Sequence, residues 1–71
     1  MTNTEKIMVL MVRRGNIREA ELARRLKMSP QKLNYKMKQN NLDEGELIEI
    51  ATVLGCSYKS CFAMNETGEI V

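Results

Sequence analysis

The chain has 71 residues, 44% of them hydrophobic and 28% charged, which is enough for one domain with a small core and too little for two. It has no His and only two Cys, Cys56 and Cys61; this excludes a disulfide framework and leaves at most two of the four ligands a structural zinc needs, so no metal, no cofactor and no enzymatic site is expected. The longest apolar run, Ile7 to Val12, is six residues, against the roughly 20 that cross a bilayer as a helix, and no signal-peptide pattern opens the sequence, so a cytoplasmic protein with no membrane partner is expected.

Thr2-Asn3-Thr4-Glu5 is a capping box, and helix 1 is predicted to start there. Ile7, Leu10 and Met11 keep helical spacing, and Arg13-Arg14-Gly15 ends the helix with cations at its negative end and a residue free to turn left-handed. Six apolar residues in a row also fit a buried strand. Helix 2 is predicted from about Glu19 to Leu26, with Ile17, Leu22, Ala23 and Leu26 inward. Ser29-Pro30 then restarts the chain as an N-cap followed by Pro at the first helical position. Helix 3, about Pro30 to Lys38, turns Leu33 and Met37 inward, and only Lys27, Met28 and Ser29 separate it from helix 2.

Asp43-Glu44-Gly45-Glu46 is a second capping box, with Leu42 placed to staple onto Leu47. Helix 4 follows, with Leu47, Ile50, Ala51 and Leu54 on one stripe and Gly55 as its stop. Beyond it, Tyr58, Ser60, Phe62 and Met64 alternate with Lys59, Cys61 and Ala63. Asn65-Glu66-Thr67-Gly68 has turn chemistry. The prediction is a hairpin pairing Ser57–Met64 with Glu69–Val71; a fifth helix capped by Ser57 is the alternative. The two cysteines and the six Met residues read as apolar filler.

Charge is unevenly placed along the chain. Nine of the eleven basic residues fall between 13 and 38, opposed there only by Glu19 and Glu21, for a segment charge of +7. From residue 43 onward six acids face Lys59 alone, for −5. A basic half attracts polyanions and an acidic half keeps the rest of the molecule away from them. The competing view is that these are merely solvated helix faces.

Two short helices joined by a three-residue turn, the second one capped and basic, form a helix-turn-helix arrangement, which lays its second helix in the DNA major groove. With Leu33 and Met37 inward, the outer face of helix 3 centres on Tyr35, flanked by Gln31, Lys32 and Lys38, with Asn34 at its margin. Gln31 suits adenine, Lys32 guanine, and Tyr35 a thymine methyl or a phosphate, so Gln31, Lys32, Asn34 and Tyr35 are the candidate base readers. Arg18, Lys36, Lys38 and Asn40 are the candidate phosphate partners.

On "ELARRLKMSPQKL" and "LDEGELIEIATVLGC", the segment from Ile17 to Gly55 resembles the lambda-repressor and Cro type of DNA-binding domain, and the resemblance extends over residues 4–56. It implies a mainly α fold of four helices, with residues 57–71 as a short C-terminal β-hairpin appended to the same domain, and double-stranded DNA as the partner. Two positions depart from the family pattern. Lys27 stands where a Gly of the turn is usual and is expected to be left-handed at a cost of about 1 kcal/mol. Arg18-Glu19 stands where a Ser or Thr cap followed by Gln is usual, so no phosphate or base contact is carried over to Glu19.

A transcriptional regulator, a repressor acting by occlusion, is therefore expected, with no small-molecule effector evident. It is expected to be a homodimer joined through Tyr58, Phe62 and Met64 of the hairpin, spacing two recognition helices about 34 Å apart on a pseudo-palindromic operator. The alternatives are a protein-interaction module, such as an antitoxin or adaptor, on the same scaffold, and third an RNA-binding protein.

Overall fold

The computed structural model describes all residues from Met1 to Val71. Its elements are α1 (Asn3–Arg13), α2 (Glu19–Arg25), α3 (Pro30–Lys38), α4 (Glu44–Val53), β1 (Cys56–Tyr58) and β2 (Phe62–Met64). Three of the four helices begin where a side chain accepts from an otherwise unpaired N–H of the first turn. Thr2 Oγ1 accepts from Glu5 N at 3.1 Å while the Glu5 carboxylate accepts from Thr2 N at 2.8 Å. Asp43 and Glu46 repeat this reciprocal pair at α4. Ser29 Oγ accepts from Lys32 N at 3.2 Å, directly ahead of Pro30. Arg18 stands at the N-cap of α2 without a side-chain cap bond.

The helix ends explain the turns. Leu26 closes α2, and Lys27 follows at φ 57°. Lys27 N–H donates to Arg24 O at 3.1 Å and Met28 N–H to Ala23 O at 2.9 Å, the bond pair that satisfies the last carbonyls of a helix through a left-handed residue. Lys27 thus takes the conformation expected of it. Asn40, at φ 50°, ends α3 in the same way, with Asn40 N–H on Met37 O at 3.1 Å and Asn41 N–H on Lys36 O at 2.9 Å.

Thirteen residues form one core. α1 contributes Ile7, Leu10 and Met11, α2 Leu22 and Ala23, α3 Leu33 and Met37, and α4 with its exit Leu47, Ile50, Ala51 and Leu54; Cys56 and Phe62 complete it. No polar or charged residue is buried with them. Leu22, Ala23 and Leu33 are fully buried, so the short second helix lies against the third through a small residue and two leucines. Leu42, Leu26 and Met28 close the core from the connecting segments.

The C-terminal segment differs from the expected hairpin in two respects: the paired strands both lie within 56–64, and Glu69–Val71 is not a strand. The stretch from Ser57 to Met64 is two antiparallel strands, not one, paired as Cys56↔Met64, Ser57↔Ala63 and Tyr58↔Phe62. The chain reverses through Lys59, Ser60 and Cys61, with Ser60 at φ 64° and Lys59 N–H on Cys61 O at 3.1 Å. Directly opposed residues in a pair of strands face the same side, so Tyr58 and Phe62 share a face in either arrangement, and alternation alone does not distinguish them. The second reversal is where turn chemistry put it. Gly68, at φ 74°, lets the chain return, Met64 N–H donates to Glu69 O at 2.9 Å and Val71 N–H to Phe62 O at 3.0 Å. The tail from Glu69 therefore runs beside β2, with Ala63 and Ile70 in a single bridge.

Candidate nucleic-acid interface

α3 divides its residues cleanly. Leu33 and Met37 are buried, while Gln31, Lys32, Tyr35 and Lys38 are exposed, Tyr35 at 63%. A nine-residue helix with Pro30 first and Ser29 as cap has no acidic side chain in its first turn, so the positive end of its dipole is unopposed and favours an anion. The first turn of α2 carries Glu19 and Glu21 and does the reverse. None of Gln31, Lys32, Tyr35 and Lys38 makes a side-chain hydrogen bond or ion pair within the chain, and Arg18 is equally free.

Three expected contact residues are engaged elsewhere. Asn34 is half-buried and its Nδ2 donates to Glu19 Oε2 at 2.9 Å, tying α3 to the start of α2. That bond takes one N–H of the amide and links the two helices, leaving the second N–H and Oδ1 without a partner in the chain. Lys36, expected on phosphate, forms an ion pair with Glu46 in the first turn of α4. That contact, together with the N–H of Asp43, holds the Glu46 carboxyl below the ordinary range. Asn40 accepts through Oδ1 from Thr4 N at 3.4 Å, while the Thr4 hydroxyl donates to Met37 O at 2.8 Å. Asn40 thus joins the end of α3 to the start of α1, with Nδ2 left over as a donor.

Four of the remaining basic residues are held by ion pairs in two places. Glu21 accepts from both Arg24 and Arg25 on its own helix, and these two hold its carboxyl low, Arg24 foremost. At the end of α1, Arg13 pairs with Glu69 at 2.8 Å. Arg14 does more: Nε donates to Leu54 O at 2.7 Å, Nη2 to Gly55 O at 3.0 Å and to Glu66 Oε1 at 2.8 Å, and Nη1 to the other oxygen of Glu66. One guanidinium thereby closes the exit of α4 and fastens the Asn65–Gly68 loop over it. The Glu66 carboxyl is held down to about 2, first of all by the Arg14 hydrogen bonds, and the Arg14 guanidinium is pushed above its ordinary value by the same contact. Nothing in sequence spacing signals this clamp, because its members are 40 to 52 positions apart.

The hairpin residues expected at a dimer contact are mostly used by the core. Phe62 is fully buried and its ring lies 4.8 Å from that of Tyr58, tilted by 56°. Tyr58 and Met64 are half-buried against the same cluster. The sequence shows an aromatic on one face of a strand but not that the face covers the chain's own helices. Cys56 and Cys61 are free thiols, and no three acidic or cysteine side chains converge as a metal site. No helix is long and apolar enough to cross a membrane.

The fold and this surface define a small, mainly helical domain of four helices and a two-stranded hairpin, with the polar face of α3 at Gln31, Lys32, Tyr35 and Lys38 open to solvent. No family model, no curated protein and no solved structure matches the chain.

Proposed function

We propose that the protein is a sequence-specific double-stranded DNA-binding regulator of the lambda-repressor type, that α3 enters the major groove, and that it represses by occupying its operator as a homodimer in a reducing cytoplasm. One observation carries the reading. The face of α3 bearing Gln31, Lys32, Tyr35 and Lys38 is exposed and has no partner within the chain, although most other basic residues of the segment have one. Amide and ammonium groups near the start of a recognition helix suit base edges, and cations on flanking turns suit phosphate. Arg18 and Lys38 are the phosphate partners that remain, with Asn40 Nδ2 as a neutral donor, while Asn34 and Lys36 serve to orient α3.

Selection of bound sequences from a random duplex pool tests this. A recovered pseudo-palindrome, bound with an affinity that falls steeply as salt rises, is the expected result, since each phosphate neutralised adds about −0.9 to the slope of log K against log salt. Retention of no duplex at low salt overturns it and leaves the protein-interaction reading.

A further inference from the structure

The run from Ile7 to Val12 is apolar all the way round α1, and a helix of that kind is normally covered on every side. The core takes only Ile7, Leu10 and Met11. Met8 and Val12, one turn apart, are 54% and 62% exposed, and Val9 beside them is half-buried. A shallow depression of about 200 Å³, lined by Met8, Met11, Val12, Ile17 and Glu19, widens this strip toward the start of α2. With Phe62 inside the core, α1 keeps an open apolar strip one turn and more in length.

We propose that this strip docks a second copy of the chain, the two α1 helices packing antiparallel about a two-fold axis over Val9. The charges flanking the strip select that partner and that direction. Glu5 and Arg13 each lie four residues from Val9 on one row of the helix surface, about 6 Å along the axis. An antiparallel pair centred on Val9 brings Glu5 of one copy level with Arg13 of the other, twice by symmetry. A parallel pair sets Glu against Glu and Arg against Arg. Both groups have bonding capacity left: Thr2 N–H occupies Oε1 of Glu5, and Glu69 and Met64 Sδ occupy only Nη1 of Arg13. Burial of Met8, Val9 and Val12 from both copies drives the contact, while the ion pairs at its rim set its direction.

The assignment deepens the homodimer part of the proposed function, and because its test contains no DNA, its failure leaves the DNA-binding reading standing. Sedimentation equilibrium of the full chain at tens to hundreds of micromolar is expected to show dimers, and V12E monomers with helical circular dichroism unchanged. E5K and R13E each place like charges face to face and are expected to dimerise at least about tenfold more weakly. An equimolar mixture of the two restores opposite charges at both ends and is expected to recover wild-type association within a few-fold. V12E and R13E leave the capping box of α1 untouched, so a folding defect of E5K does not mask the outcome. A monomeric wild type at these concentrations, a V12E chain that associates like wild type, or an R13E chain that does so overturns the proposal. So does a mixture of folded E5K and R13E that associates no better than its components.

Discussion

Arg13 and Arg14 at the end of α1, and Arg18, Lys32 and Lys38 on α2 and α3, belong to one basic run of sequence, yet the fold gives them different environments. On the α1 side the acidic tail comes back over the cations: Glu69 meets Arg13, and Glu66 meets Arg14, which also holds the Leu54 and Gly55 carbonyls at the exit of α4. On the α3 side Lys32, Lys38 and Arg18 form no ion pair, although Lys32 lies close enough to Glu46 to act on its carboxyl, and Lys36 is paired with Glu46 directly. Charge density along a sequence is therefore a poor guide to charge available to a partner. Surface ion pairs contribute little energy each, but every one removes a cation from the field that a polyanion would feel.

The hardest test of the structural side is Phe62→Ala. A fully buried aromatic replaced by Ala is expected to cost about 3–5 kcal/mol in urea denaturation, a large share of what holds so small a domain together. A loss confined to association, with stability unchanged, shows Phe62 to be an interface residue after all. On the other side, Gln31→Ala and Lys32→Ala are each expected to lose about 1–3 kcal/mol of affinity for the selected duplex and to relax its sequence preference, with melting temperature unchanged. Titrations in which both bind as wild type remove α3 from the interface.

Arg14→Ala and Arg18→Ala sharpen the contrast within one residue type. Arg14→Ala is expected to lower the melting temperature, because Leu54 O, Gly55 O and Glu66 lose their donor together. Arg18→Ala is expected to leave melting unchanged and to lower the salt slope of DNA binding by about 1 per copy. Equal destabilisation by the two variants breaks the distinction.

Acid separates the two sides as well. The Glu66 carboxyl, held down to about 2 by Arg14, has an unfolded value of roughly 4.3. A depressed folded value means the stabilisation is present above the unfolded value and is lost as pH falls through the folded one. Wild type is thus expected to lose stability between about pH 4.3 and pH 2, and Glu66→Gln to lose less across that window, as followed by melting temperature against pH.

The smallest effect belongs to the turn. Lys27 is at φ 57°, and Gly takes that conformation without the side-chain penalty, so Lys27→Gly is expected to leave stability unchanged or raise it by up to about 1 kcal/mol. A lower melting temperature shows that the Lys27 side chain contributes a contact that outweighs its strain.

Much of the fold was legible because it is specified locally. Thr2 with Glu5, Ser29 with the Lys32 N–H, and Asp43 with Glu46 place three helix starts through bonds that span three residues, and the 3.6-residue spacing of Leu33 and Met37 orients α3 before any tertiary contact forms. The exposed positions Gln31, Lys32, Tyr35 and Lys38 follow from that spacing. The partners of Asn34 and Lys36 do not: spacing sets both beside the buried stripe, and only the fold brings Glu19 and Glu46 to them.

The hairpin marks the boundary between the two kinds of information. Alternation of Tyr58, Phe62 and Met64 specifies a common face, because side chains alternate along any strand. Whether the chain doubles back at Ser60, and whether the shared face meets a second molecule or the chain's own α4, depends on the shape of the helical layer beneath. Helix starts and stops and the outward face of each helix are readable from the residues alone, since propensity, capping and periodicity act within a few residues. Tertiary structure alone decided which charges are neutralised, because pairs such as Arg14 with Glu66, 52 positions apart, are brought together only when burial of the common core closes the chain on itself.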